Sequence, residues 1–298
     1  MTKQELLKTM EERAKIVNDG LEEYFKNKYD EDLSELFEAE KYSVLAGGKR
    51  IRPIIALAFS ELFGGSIEAA LPYGIALELV HTASLIHDDL PCIDNDDLRR
   101  GKPTNHVMYG ESTALLAGDG LLMDAFGVVA RNRELSAELN LQAIGILSEL
   151  AGSCGLVGGE FLDILGEEKE LSLEILEKLY DCKTGALIRA SAILGAISAG
   201  VSFLDERMMD AIMYADAIGL AFQIIDDILD VRGSAEELGK NPGSDDKSNK
   251  TTYLSFYTVD EAMDMAFSLT RVAKSAVSKH YGSDFLESLA DYLLARNS

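Results

Sequence analysis

The strongest constraint on this chain is where proline is missing. Its five prolines are Pro53, Pro72, Pro91, Pro103 and Pro242, so residues 104–241 contain none. A run of that length tolerates long uninterrupted elements, because proline breaks helices and blocks sheet ladders. Alternating apolar and polar stretches rich in Val, Ile, Thr and aromatics are scarce, whereas Ala, Leu, Glu, Lys and Met dominate the long segments. The expectation is an all-α fold with almost no strand. Helical periodicity places segments at 3–29, 33–45, 54–63, 72–90, 111–131, 137–165, 172–199, 205–231, 259–281 and 284–295. Short turns separate them: Gly47-Gly48, Gly64-Gly65-Ser66, residues 101–105, and Gly166 ahead of Ser172, which caps the helix that follows. With 298 residues and 47% hydrophobic content, the chain has material for a large core. No break in composition marks a linker, so residues 1–298 read as a single-domain bundle of ten or more helices.

Acidic residues outnumber basic ones by 51 to 28, a formal charge of −23. Such a surface repels nucleic acid and anionic lipid, which excludes a nucleic-acid role. An anionic substrate needs a local basic cluster or bridging cations. Cys92, Cys154 and Cys182 form no metal-ligand pattern and fit reduced thiols of a cytoplasmic protein. The first 27 residues carry charges throughout and resemble no signal peptide. The most apolar segment, 187–201, carries Arg189 and is shorter than a membrane span, so no stable membrane association is expected. Residues 233–251 are rich in Gly, Ser, Asp and Lys, and an irregular stretch of that length is expected to be a mobile lid.

Two aspartate clusters carry the chemistry. The first is Asp88-Asp89-Leu90-Pro91-Cys92-Ile93-Asp94, followed by Asn95, Asp96, Asp97, Leu98, Arg99 and Arg100. Pro91 disfavours helix at Leu90, so Asp94 is expected to return toward Asp88 from a kink or an added turn. The second is Gln223-Ile224-Ile225-Asp226-Asp227-Ile228-Leu229-Asp230. There the four-residue spacing stacks Asp226 and Asp230 about 6 Å apart on one helical face, with Gln223 a turn before. Carboxylates without His or Cys favour Mg²⁺, which shares its shell with phosphate oxygens. The inferred substrate is therefore a diphosphate. Cations suited to phosphate stand at Lys49, Arg50 and Arg52, at Arg99 and Arg100, at Lys183, and at Lys240 and Lys250. His81 lies two turns before Asp88 on the same face, which favours a substrate role over that of a core histidine.

These segments, with Lys183-Thr184-Gly185, resemble in order and nearly throughout the chain the trans-isoprenyl diphosphate synthases, the farnesyl and geranylgeranyl diphosphate synthase family. The four residues between Asp89 and Asp94, Pro91-Cys92 among them, are similar to the bacterial and plastid branch. The resemblance implies an isoprenoid-synthase bundle around a deep central cavity, a homodimer, and condensation of isopentenyl diphosphate with allylic diphosphates. It implies that Lys49, Arg52, His81 and Arg100 hold isopentenyl diphosphate, and that Arg99, Lys183, Lys240 and Lys250 hold the allylic diphosphate. Asp88, Asp94 and Asp226 would be principal ligands of Mg²⁺, three ions per site with Mn²⁺ able to substitute, and Asp89, Asp227 and Asp230 would support them. Lys183, Thr184 and Gln223 would line the place where the allylic cation forms.

Two other classes are weighed against this reading. A terpene cyclase needs no second basic cluster at residues 48–52, and a non-catalytic homologue would have lost part of an aspartate motif. Product length is expected to follow Ala83 and Ser84. They are small side chains just before Asp88 and leave room for a twenty-carbon product, with fifteen carbons as the alternative, unless Met123 or Phe126 closes the pocket.

Overall fold

The computed structural model describes residues 1–28, 30–232 and 250–295. Residues 233–249, which include Lys240 and most of the expected lid, lie outside the described residues, as does Tyr29. Helices α1 to α11 run Lys3–Lys26, Ser34–Val44, Ile51–Leu62, Ile67–Asp88, Asn105–Tyr109, Glu111–Ala130, Ala137–Ala151, Leu156–Glu168, Leu173–Tyr180, Ala186–Ser198 and Glu206–Arg232. Val259–Val277 and Asp284–Leu294 follow as α12 and α13. The strands β1 (Leu98–Arg99) and β2 (Lys102–Pro103) form one short antiparallel hairpin.

Local chemistry sets many of the helix starts. Thr2 with Glu5 and Thr258 with Glu261 form reciprocal capping boxes, and the Ser66, Ser136 and Ser172 hydroxyls accept the backbone N–H three residues on. Two starts fall earlier than proline suggested. Helix α3 begins at Ile51, with Pro53 in the first turn, where an N–H has no intrahelical partner anyway. Helix α4 begins at Ile67 under the Ser66 cap and carries Pro72 inside it, which removes one hydrogen bond near an otherwise capped end.

Two expected long helices are broken. Residues 137–165 divide into α7 and α8 at Gly152 and Gly155, and Gly166 is buried within α8 rather than marking a turn. Residues 172–199 divide into α9 and α10 around a π-helical turn, Asp181–Gly185. One extra residue per turn rotates the face presented on either side, and such turns concentrate at functional sites. This one carries Lys183 and Thr184.

Helix α10 occupies the middle of the main core, with every residue buried except Arg189. It packs on α3, α4, α7 and α11. A Cβ at Gly195 would lie 2.4 Å from the Ala56 carbonyl oxygen and 2.8 Å from Phe59 Cβ, so this glycine sets the approach of α10 to α3. A smaller core joins Leu176, Ile224, Ile225, Ile228, Tyr253 and Ala266 beneath the second aspartate cluster. Helices α4, α6, α7–α8 and α11 include segments long and apolar enough to cross a membrane, but α4 and α11 bury 72% and 61% of theirs inside the molecule. On α6 and α7–α8 only 33% and 28% is covered.

Gly195→Ala forces α10 away from α3 and is expected to lower the free energy of unfolding by about 1–3 kcal/mol, the usual cost of overpacking a core. Denaturant unfolding checks this, with an unchanged midpoint as the contrary result.

Candidate active site

Two compartments of opposite charge meet inside the bundle. The basic one is a cavity of about 450 Å³ lined by Gly48, Lys49, Arg50, Arg52, Glu78, His81, Arg100, Thr184, Ile188, Phe222 and Leu293, with Ala46 and Ile51 completing it. All four residues expected at a basic diphosphate site, Lys49, Arg52, His81 and Arg100, are therefore brought together. The Arg52 Nη1 donor lies 3.4 Å from His81 Nε2. Burial, then Arg52 and the other arginines, hold the His81 imidazole well below its usual pKa, so the ring is neutral near pH 7. Burial also lowers the Arg52 pKa, and its Nε is buried without a hydrogen-bond partner among the described residues. A buried guanidinium donor left open suits an anion with several oxygens.

The backbone bends hard to make this cavity. Among the described residues, the non-glycine residues with positive φ are Arg50 (50°), Asn95 (54°) and Arg100 (54°), and each stands in one of the candidate motifs. Gly48 has φ of 132°, and a Cβ there would sit 3.0 Å from the Arg100 guanidinium. Arg100 also donates to the Gly47 carbonyl. Arg100 and Gly101 form the two-residue turn of the hairpin, which demands positive φ at both. The hairpin sends adjacent arginines to different compartments: Arg100 to the cavity, and Arg99 to Asp89, whose oxygens accept its Nε and Nη2 at 2.5–2.8 Å.

The acidic compartment begins at the end of α4. After Pro91 the chain makes an extra turn in which the Asp94 N–H donates to the Asp88 carbonyl at 2.8 Å, which returns Asp94 as its spacing suggested. Burial and then Glu160 push Asp88 up to about 8, against the pull of Lys183. Burial raises Asp89 and Asp94 as well, against Arg99 in the first case and Lys183 and Lys250 in the second. These are carboxylates whose protein cations do not fully offset desolvation.

Sequence reasoning missed the carboxylates opposite. Glu160, Asp163 and Glu167 on α8 point toward the lysines: Lys183 Nζ lies 2.5 Å from Asp163 and 2.8 Å from Glu160, and Lys250 Nζ 3.1 Å from Asp163 and 3.2 Å from Glu167. Their i, i+3, i+7 spacing was a legible signal of one helical face. Burial opposes charge on Lys183, but Asp163, Glu160 and Asp88 outweigh it and raise its pKa. The lysine is held fully charged between α8 and α4. Its backbone is fixed by close approach, since a Cβ at Gly159 would lie 2.2 Å from the Lys183 nitrogen. Arg189 braces the same π turn, reaching Asp181 within it and Asp216 on α11.

On α11, Gln223 Oε1 accepts the Thr184 hydroxyl at 2.9 Å, so three residues expected to work together, Lys183, Thr184 and Gln223, are adjacent. Asp226 is half-buried, and Asp227 and Asp230 are buried. Asp227 accepts the Tyr180 hydroxyl at 2.7 Å and the Tyr253 N–H at 2.8 Å. It thereby anchors the chain that resumes after residue 249. Asp227, Asp230 and Lys250 also line a second cavity, of about 650 Å³.

Among the described residues no three His, Cys, Asp or Glu side chains converge closely enough to ligate one ion unaided. The oxygen-only donor set and the raised Asp88 nonetheless fit a divalent cation whose shell substrate oxygens complete. Ala83 is fully enclosed in the core, while Ser84, a turn from Asp88, is partly exposed. Met123 is 67% exposed on the outside of α6, which is no position for a pocket floor among the described residues.

The family model described as polyprenyl synthetase matches residues 34–283. The chain is 43% identical to a geranylgeranyl diphosphate synthase of Cyanophora paradoxa, over 98% of this chain and 97% of that one. It is 44% identical to a farnesyl diphosphate synthase of Micrococcus luteus, over 99% of each. A crystal structure of an FPP/GFPP synthase from Zymomonas mobilis superposes with a TM-score of 0.88 at 34% identity, covering 98% of this chain and all of that one.

Asp163→Asn removes the shared counter-charge of Lys183 and Lys250. It is expected to cost about 1–2 kcal/mol of stability, below the 3–5 of a fully buried pair because both lysines keep some solvent contact. Denaturation at low and high salt checks it, with the larger loss expected at low salt.

Proposed function

Because the chain belongs to the polyprenyl synthetase family, we propose that it is a short-chain prenyltransferase that condenses isopentenyl diphosphate with an allylic diphosphate and releases diphosphate. One observation carries this reading: a cavity with surplus cations and a cleft with surplus carboxylates adjoin at Thr184 and Gln223. A terpene cyclase has one diphosphate to bind and no use for the first of these.

In this reading Lys49, Arg52 and Arg100 bind isopentenyl diphosphate directly, and neutral His81 offers a hydrogen bond without adding charge. Arg99, Lys183 and Lys250 bind the allylic diphosphate, exchanging their carboxylate partners for phosphate oxygens. Mg²⁺ would be held by Asp88, Asp94 and Asp226, with Asp89, Asp227 and Asp230 in support, and when bound would supply electrostatic stabilisation of the departing diphosphate. The allylic C–O bond breaks, and the Thr184 and Gln223 oxygens face the carbon that becomes positive. The double bond of isopentenyl diphosphate forms the new C–C bond, and the proton then lost goes to the departed diphosphate. The lysine charge next to that diphosphate keeps it in place to accept the proton.

The tail of the growing product runs back along α4 from Asp88, about 5.4 Å per helical turn and so roughly one isoprene unit. Ser84 is the small, partly exposed residue on that line. This favours geranylgeranyl diphosphate as product, with farnesyl diphosphate the alternative. The uncovered faces of α6 to α8, with Leu115, Leu116, Met123, Leu141 and Phe161 exposed, support a homodimer in which a second copy covers them.

Purified protein with Mg²⁺, isopentenyl diphosphate and an allylic co-substrate is expected to release diphosphate and a longer prenyl diphosphate; no turnover refutes the reading. Asp88→Ala or Asp226→Ala is expected to lower kcat by orders of magnitude, while Lys49→Ala chiefly raises KM for isopentenyl diphosphate. Equal effects on both substrates count against the division of the sites. Ser84→Phe is expected to shift chromatographed products toward shorter chains with activity retained, and an unchanged distribution removes Ser84 from the tail wall. Sedimentation at micromolar concentration is expected to give a dimer, against which a monomer would stand.

A further inference from the structure

The basic cavity contains an acid. Glu78, in the middle of α4, lines it among Lys49, Arg50, Arg52 and Arg100, and its side chain is 3% exposed. Its charge acts on both Arg52 and Arg100. For a site that binds a diphosphate this is costly, since a carboxylate close to the ligand repels it in a medium of low dielectric. Its partner is Arg50, 1% exposed, whose Nη1 lies 2.5 Å from Glu78 Oε1. Arg50 uses its whole fork: Nε donates to Asn18 Oδ1 at 2.9 Å and Nη2 to the Val44 carbonyl at 2.7 Å. One guanidinium thus joins α1, the end of α2 and α4. Its own backbone is in the left-handed region, at the residue that opens α3. That conformation is strained for a side chain of this size and persists only when its surroundings hold it.

We propose that the Arg50–Glu78 pair is a positioning device for the basic cavity: it locks the left-handed turn between Gly48 and Ile51 so that Lys49 and Arg52, on either side of Arg50, converge on one anion. The inference rests on reading that cavity as the isopentenyl diphosphate site. The Arg50 fork is taken up by Asn18, Val44 and Glu78, and Glu78 repels an anion, so neither acts by direct attraction. The two possible roles of Glu78 differ in sign. If it merely diluted the cavity's positive field, its neutralisation would tighten anion binding. As half of a lock, its neutralisation leaves Arg50 buried without counter-charge, frees the turn and weakens binding.

The full-length protein and its Glu78→Gln and Arg50→Lys variants would be titrated with inorganic diphosphate by calorimetry without divalent metal, and steady-state constants measured for both substrates. Glu78→Gln is expected to weaken inorganic diphosphate and raise KM for isopentenyl diphosphate about tenfold each. KM for the allylic substrate should stay within about twofold. Unchanged or tighter binding overturns the proposal. Arg50→Lys keeps the charge but cannot reach Asn18, Val44 and Glu78 together, so it is expected to fail as a conservative rescue. Wild-type affinity in that variant also overturns the lock. Should either variant not fold, Asn18→Ala leaves the ion pair intact and removes one strut, with a loss of roughly two- to fivefold expected. Wild-type affinity there, or a lowered melting temperature with affinity retained, is contrary. If the wild-type protein does not turn over isopentenyl diphosphate, the functional reading falls, while the ratio of inorganic diphosphate affinities still decides the lock.

Discussion

A helix without an outward face organises this protein. Twelve apolar or small residues of α10 are buried on all sides, and only Arg189 escapes. Burial of each large side chain is worth roughly 1.5–3 kcal/mol, so the surrounding helices are committed to closing on it. Gly195 lets α3 come to backbone contact on one side, and Gly185 meets Gly219 of α11 on another. A helix gripped this tightly cannot also turn Lys183 and Thr184 inward by rotating. The π turn resolves the conflict by changing the face just before α10 begins. Arg189, the single charged residue of the helix, closes over that turn to Asp181 and Asp216. The same packing that stabilises the core therefore aims Lys183 and Thr184.

The site is a problem in charge placement on a molecule that carries −23 overall. Such a surface repels a diphosphate everywhere except where cations are concentrated. The molecule concentrates them in two ways. In the basic cavity the cations outnumber the acids, and a lone carboxylate is matched to Arg50. In the acidic cleft each cation already has carboxylate partners, and Asp88, Asp89 and Asp94 remain under-compensated. An anion entering the first needs no companion. An anion entering the second must bring positive charge with it, and in the proposed function that asymmetry would separate two substrates with the same head group.

Much of this was legible in the amino-acid order. The proline-free run and its periodicity mark helices, and the two aspartate clusters, the Gly-Gly-basic turn and the Lys-Thr pair mark the charged motifs that line the candidate site, because spacing along a helix fixes which residues share a face. Local signals also located caps such as Ser172. They misplaced what depends on competition between neighbours: the breaks at Gly155 and at the π turn, and the early start of α4 through Pro72. Those outcomes reflect packing of one helix on another, which overrides intrinsic preference.

By itself, then, the sequence determined the helical class, the family resemblance and the set of charged motifs, all of which follow from residue type and short-range spacing. Only the tertiary structure decided how the charges pair: that Asp163 faces both Lys183 and Lys250, that Asp227 braces Tyr180 and Tyr253, that Arg100 enters the cavity while Arg99 turns to Asp89, and that Ala83 is core while Ser84 is not. The physical reason is distance. Electrostatic partners separated by 20 to 87 residues, such as Lys183 and Lys250 with Asp163, are chosen by how helices pack, and no local pattern encodes that.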